Sequence, residues 1–258
     1  MNPYLKSSFP QSTVLGIAVL FLLSVSPVAR AGNVLFGDDF QNSDLGNWHQ
    51  SPQGVEESFW PIVADPDLSD DRHKVLSTPA MGTQNYYWHI EPQVAAGSTL
   101  SLSLRFNVDQ ANDEWNMTWS LLDDVVLNGG SIVGGYSVRV GGAGTPNDRK
   151  TVVVISRCDP KKENSDKGSE AILASQELPR EKILPGWNTL QFRWGLDGAL
   201  KVFLNGSEIL SAKDTTHKPA FRTLRIATWL SNNLPPPQSL PDGRKLFFGD
   251  VKVEQIDQ

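Results

Sequence analysis

The run Trp187-Asn188-Thr189-Leu190-Gln191-Phe192-Arg193-Trp194-Gly195-Leu196-Asp197-Gly198-Ala199-Leu200-Lys201-Val202-Phe203-Leu204-Asn205-Gly206 decides the fold. Leu190, Phe192 and Trp194 alternate with Gln191 and Arg193. After the break at Leu196-Asp197-Gly198, Leu200, Val202 and Leu204 alternate in the same way. Side chains on a strand point to opposite faces with a period of two, so each segment carries one apolar and one polar face. Asn205-Gly206 supplies two residues that tolerate positive φ, as a tight two-residue hairpin turn requires. The run therefore predicts antiparallel strands with one face against a core.

The pattern repeats on both sides of this hairpin. Leu100, Leu102, Leu104 and Phe106 share one face, opposite Thr99, Ser101, Ser103 and Arg105. Trp115, Met117, Trp119 and Leu121 alternate with Asn116, Thr118 and Ser120. Further short strands are expected at 59–64, 74–77, 86–90, 136–140, 151–158, 208–212 and 224–230. The ends match each other: Val34-Leu35-Phe36-Gly37-Asp38-Asp39-Phe40 opens the pattern and Phe247-Phe248-Gly249-Asp250-Val251-Lys252-Val253-Glu254-Gln255 closes it. About fourteen such strands, with almost no helical periodicity, predict an all-β protein of two antiparallel sheets packed face to face. The paired terminal strands would close that sandwich.

The punctuation between strands is read as follows. Asn128-Gly129-Gly130 and Gly141-Gly142-Ala143-Gly144 are expected to be turns, and the charged run at 159–170 a solvated loop. Pro235-Pro236-Pro237 is expected to stiffen a long connection. Cys158, the single cysteine, shares strand parity with Val152 and Val154 and is expected to be a buried, inert thiol.

Residues 1–31 carry Lys6, an apolar stretch from Val14 to Val25, and the small-residue end Ala29-Arg30-Ala31. This is the layout of a secretory signal peptide cut before Gly32, and it implies a secreted or periplasmic protein. The apolar stretch falls short of the roughly 20 residues that span a bilayer, so no integral membrane segment is expected after cleavage. Of 258 residues, 227 then remain, at 32–258, which suits a single sandwich domain. Loss of Lys6 and Arg30 leaves 21 basic against 29 acidic side chains, a net charge near −8. That balance argues against nucleic acid, whose phosphates need clustered Lys and Arg.

Pro185-Gly186-Trp187-Asn188-Thr189-Leu190-Gln191-Phe192, followed by the hairpin ending at Asn205-Gly206, resembles the concanavalin A-like lectin/glucanase and laminin G-like jelly rolls. In those proteins a W-x-x-x-x-φ strand (φ, apolar) leads into a hairpin with a φ-N/D-G turn. The resemblance implies a large buried ring at Trp187. Gly37-Asp38-Asp39-Phe40 and Asp250-Val251-Lys252-Val253 are similar to the terminal strands of the laminarinase-type members. The resemblance implies a jelly roll that faces carbohydrate, and in that fold Asp39 and Asp250 match positions that hold a structural calcium. Carboxylates with backbone carbonyls suit Ca²⁺, which takes about six to eight oxygens.

The chemistry of those enzymes is not spelled out here. Laminarinase-type enzymes carry E-x-D-x-x-E or E-x-D-x-E on one strand, where alternation aims the acids into one cleft. In this chain Glu56-Glu57, Asp113-Glu114 and Asp123-Asp124 are adjacent, so in a strand they would point opposite ways; a solvated rim is expected. A lyase needs a cation for a uronate carboxylate and a Tyr or His to move a proton. The polar strand faces offer Arg105, Arg139, Gln191, Arg193 and Arg225, with Tyr136 and His89 as proton carriers. If several of these share one sheet, they favour an acidic glycan. Trp115, Trp119 and Trp194 sit on apolar faces and belong to the core. Trp229, in contrast, shares a mixed face with Thr223, Arg225 and Ala227, and alternation does not orient Trp88, so these two are the candidate stacking platforms for sugar. The expected function is a secreted carbohydrate-binding or adhesion module acting on an extracellular glycan. The alternative is a polysaccharide-active enzyme, hydrolase or lyase, with an unfamiliar constellation.

Overall fold

The structure, a computed structural model, describes residues 33–42, 48–50, 61–69, 71–77, 84–89, 98–108, 115–123, 134–143, 150–159, 169–217, 221–228 and 246–257. The expected signal peptide at 1–31, the Asn128-Gly129-Gly130 and Pro235-Pro236-Pro237 segments, Glu56-Glu57 and Asp113-Glu114 lie outside them. Ala31–Gln258 form one compact unit.

Fifteen strands are found among the described residues: β1 Asn33–Asp38, β2 His49–Gln50, β3 Ile62–Ala64, β4 Lys74–Ser77, β5 Gln84–His89, β6 Ser98–Val108, β7 Asn116–Leu122, β8 Gly135–Ala143, β9 Lys150–Asp159, β10 Ser169–Leu178, β11 Trp187–Gly195, β12 Ala199–Leu204, β13 Ser207–Lys213, β14 Thr223–Thr228 and β15 Leu246–Asp257. One short 3₁₀ turn, Arg180–Lys182, precedes β11. All ladders are antiparallel. An eight-stranded sheet runs β13-β12-β11-β6-β15-β4-β3, with β1 on β15, and a seven-stranded sheet runs β10-β9-β8-β7-β14-β5-β2.

The predicted alternation sets the layers. Leu100, Leu102, Leu104 and Phe106 face Trp119, Leu121, Val138 and Ile155 across one buried cluster that also takes in Leu190, Phe192, Leu200 and Val202. Each such side chain contributes about 1.5–3 kcal/mol by leaving water, which makes this layer the main source of stability. Trp115, Trp119 and Trp194 lie in this core, as expected. Asn205 and Gly206 have φ of 50° and 80°, and Asn205 Oδ1 accepts from Thr189 N at 2.8 Å, so the hairpin turn forms as read.

The terminal strands do close the sandwich. Phe36 pairs with Val253 and Asp38 with Val251, while β4 takes the other half of β15 at Phe247 and Phe248. A bulge at Asp250-Val251, with Asp250 at φ 48°, separates the two partners. Asp38 secures the end of β1, accepting from Phe40 N at 2.7 Å and from Trp48 Nε1 at 2.6 Å.

Four local readings need correction. Gly141–Ala143 continue β8 instead of turning: Gly141 sits opposite Asn116 and Val152, where an added Cβ would meet Trp115 O at 2.7 Å. The charged run is shorter than read, because β9 reaches Asp159 and β10 begins at Ser169; residues 160–168 lie outside the described residues. β10 escaped notice since its pattern is broken by a bulge at Leu173. Trp187 is not a buried ring. It lies half-buried on the outer face, its ring beside Gly249 and its Nε1 donating to Asp65 Oδ1 at 3.1 Å.

Candidate functional site

A sandwich has two outward faces, and the ladder registers assign every polar candidate to one of them. Arg105, Gln191 and Arg193 project from the eight-stranded sheet, on the reverse side of Leu104, Leu190 and Phe192. Arg139 and Arg225 project from the seven-stranded sheet, on the reverse side of Val138 and Ile226. The five therefore do not share a sheet, and the single arginine-lined surface that the sequence left open is split in two.

On the eight-stranded sheet Arg105 and Gln191 have polar partners, whereas Arg193 stacks on a ring and its buried Nε has no hydrogen-bond partner. Arg105 Nη1 lies 2.6 Å from Asp250 Oδ2, and its guanidinium stacks 4.6 Å from the Trp187 ring. Gln191 Nε2 donates to Ser101 Oγ at 2.8 Å, and Arg193 lies 4.5 Å over Phe203. Lys201 with Glu208 at 3.0 Å, and Lys252 with Glu254, complete a solvated, paired surface.

Asp39 and Asp250 follow the last β1–β15 pair, Asp38 with Val251, so the register brings them to the same end of that ladder. They do not fit a calcium clip. The Arg105 guanidinium already neutralises Asp250, and Asp39 Oδ1 accepts from its own turn at Gln41 N, 3.0 Å away. A divalent ion would sit beside a fixed cation. Among the described residues no group of three or more His, Cys, Asp or Glu is arranged around a metal position.

The seven-stranded sheet is built differently. One cross-strand row on its outer face reads Ile172, Ser156, Ser137, Ser120 and Arg225, and a neighbouring row runs Glu170, Cys158, Gly135, Leu122 and Thr223. Ser120, Ser137 and Ser156 are only 1%, 2% and 3% exposed, and Thr223 and Cys158 are fully buried. This floor is recessed although it is not part of the core between the sheets. Arg225, half-buried, rises from it and donates from Nη2 to Ser120 Oγ at 3.2 Å. Its Nε is buried with no hydrogen-bond partner, and so are Thr223 Oγ1 and Asn116 Oδ1 on the same face. Arg139 stands exposed two strands from β14.

Cys158 is buried as expected, but in this floor and not in the inter-sheet core. Burial pushes its thiol up to about 11, while the nearby Arg225 charge and a Ser137 hydrogen bond pull the other way. It is a protonated, unreactive group at neutral pH. Trp229 lies outside the described residues. Trp88 pairs with Leu224 and His89 with Thr223 in β5, and their side chains lie outside the described part.

Tyr136 cannot serve this face as a proton carrier. It points between the sheets, fully buried, and donates to Asp214 Oδ2 at 3.3 Å. Burial first, then the Asp214 charge, raises its hydroxyl far above the ordinary range. It belongs to a polar knot at one end of the sandwich, where Arg157 Nη1 reaches Asp214 at 3.1 Å and Nε reaches Asp159 at 2.7 Å. Asp123 is part of the same end, 2.8 Å from His217 Nε2, so it is a tied residue and not a solvated rim. Asp214 follows β13 of one sheet and Arg157 lies near the end of β9 of the other, so the knot ties the two sheets together.

Among the described residues, the carboxylates on this face are Glu170 and Glu177, at opposite ends of β10. At about 3.3 Å per residue they stand roughly 20 Å apart, against the 5 to 9.5 Å that glycoside hydrolysis uses.

The architecture defines the fold: a two-sheet jelly-roll sandwich of the concanavalin A-like type. The chain is similar to the globular domain of T. cruzi calreticulin, with a TM-score of 0.58 and 11% identity over 88% of each chain. It is also similar to a family 16 endo-glucanase from Bacteroides ovatus, with a TM-score of 0.54 and 11% identity over 85% of this chain and 100% of the other. A third likeness is to the CBM2 module of the Lactobacillus casei BL23 phage J-1 evolved Dit protein, with a TM-score of 0.55 and 12% identity over 90% and 99%. No protein-family model matches the sequence, and no curated protein matches it. At such identities the likenesses carry the fold and no activity.

Proposed function

We propose that this is a secreted or periplasmic, non-catalytic module that binds an extracellular glycan on the outer face of its seven-stranded sheet. The observation that carries this reading is the recessed row of Ser120, Ser137 and Ser156 ending at Arg225. A guanidinium with a donor still to use, set among sheltered hydroxyls, is what a sugar needs for orientation. The eight-stranded face has spent its charges on internal pairs and offers less. The 20 Å spacing of Glu170 and Glu177 disfavours hydrolysis on this face. The leader at 1–31 accounts for export, and no helix among the described residues is long and apolar enough to cross a membrane.

A glycan-array screen of residues 32–258, with and without EDTA, tests the reading. Binding that survives EDTA, without release of reducing ends from the hits, is the expected result. Failure to bind any glycan in either condition overturns it, and release of reducing ends moves the protein to the enzyme class.

A further inference from the structure

We infer that the glycan is anionic, and that one of its carboxylate or sulfate groups seats on the Arg225 guanidinium beside Ser120 and Thr223; this rests on the binding reading above. The reason is an unbalanced charge. Arg105 has Asp250 and Arg157 has Asp159 and Asp214; Arg193, whose Nε is also buried without a hydrogen-bond partner, has the Phe203 ring beneath it. Arg225 has one neutral hydroxyl, Ser120, and no carboxylate among the described residues. Its buried Nε keeps an unused donor, and a charged donor taken from water without a partner is costly.

Geometry then selects the ligand chemistry. A guanidinium presents parallel N–H groups in a fixed fork that matches two oxygens of one carboxylate or sulfate. Thr223 Oγ1, two residues along β14 and on the same face, is buried and also unpartnered, a second unmet polar group beside the guanidinium. The serine row beyond Ser120 offers hydroxyls to the rest of the sugar. Arg139 supplies a second positive charge on this face; from strand spacing and rise its Cα is about 12 Å from that of Arg225. The net charge of the chain is negative, so long-range steering does not favour a polyanion, and the selectivity has to come from this local seat.

The test compares each acid with its own neutral form. Titration calorimetry on residues 32–258 uses oligosaccharides of galacturonan, mannuronan and sulfated galactan, alongside methyl-esterified or desulfated counterparts and a neutral cello-oligosaccharide. At least one acid should bind at least about tenfold tighter than its neutral counterpart, as a charge-assisted pair replaces an unmet donor. Whether the esterified or the desulfated partner shows the loss distinguishes carboxylate from sulfate. Arg225→Met should erase the preference, Arg139→Met should reduce it less, and Arg193→Met should leave it unchanged. Arg225→Gln, which retains a donor for Ser120, should also erase it, and serves if Arg225→Met does not fold. Equal binding of acids and neutral forms, or a preference that survives both Arg225 variants, overturns the inference while leaving the glycan-binding reading intact. Absence of binding to any probe or array glycan removes both.

Discussion

On the eight-stranded sheet, outward charges meet within the sheet: Lys201 with Glu208, Lys252 with Glu254, Arg105 with Asp250. On the seven-stranded sheet, outward positions carry buried serines, a buried threonine, a buried thiol and an arginine with a spare donor. Both faces come from strands with the same period-two pattern. What differs is the neighbour that register supplies. The eight-stranded face pairs more of its outward charges, and under the proposed function the seven-stranded face is the one left for a ligand.

The comparison depends on the sheets being locked together, so its largest test is the knot that locks them. Asp214→Ala leaves Arg157 without its buried partner and should cost about 3–5 kcal/mol in chemical denaturation. The pH dependence follows from the same group. Burial pushes the Asp214 carboxyl up, but Thr216's side-chain and backbone donors together with Arg157 outweigh it and hold it below its ordinary value. Its contribution is therefore complete above the ordinary value of 3.8 and is lost as pH falls through the lower folded value. Acid unfolding of the wild type should be steep in that window and flattened in Asp214→Ala.

The next largest effect probes the recessed floor from the alkaline side. The folded protein favours the Cys158 thiol over the thiolate, so stability should be level below 9.0 and fall as pH rises towards 11. The loss should be on the order of 2–3 kcal/mol, read from denaturant midpoints and absent in Cys158→Ser. Thiol reagents at pH 8 should label Cys158 in the unfolded protein and spare it in the native one.

Smaller effects contrast the faces directly. Ser137→Val overfills the recessed row and should cost about 1–3 kcal/mol, whereas Ser103→Val on the other face should stay within about 0.5 kcal/mol. Smallest of all, Lys201→Ala should shift stability by no more than about 1 kcal/mol, because its exposed pair with Glu208 is screened. Added calcium should leave the thermal midpoint within about 1 °C, since Arg105 already occupies Asp250; a clear rise would reinstate a metal clip at Asp39 and Asp250.

The legible parts of the molecule are those where one face is plainly apolar. β6, β7, β11 and β12 could be read almost residue by residue because their inward positions are Leu, Phe, Met and Trp. β9 was readable as a strand but not by face: Val152, Val154 and Cys158 look like core, yet they lie on the outer side of the sheet, opposite Gly141, Arg139 and Gly135. When both faces are buried, alternation carries no direction. Ser137 and Ser156 went unnoticed for the same reason, set in strands that read as continuously buried. Tyr136 was mistaken for a surface group because an aromatic with a hydroxyl suits either side of a sheet, and only its bond to Asp214 shows which.

The sequence by itself determined that this is an antiparallel sandwich, closed by its own ends and turned at Asn205-Gly206, because periodicity and turn chemistry are local properties. Tertiary structure alone decided which arginines are neighbours, which carboxylates are already paired, and where unmet donors collect. Those are properties of register between strands distant in sequence. Arg105 meets Asp250 across 145 positions and Arg225 meets Ser120 across 105. One contact cancels a charge and the other leaves it open.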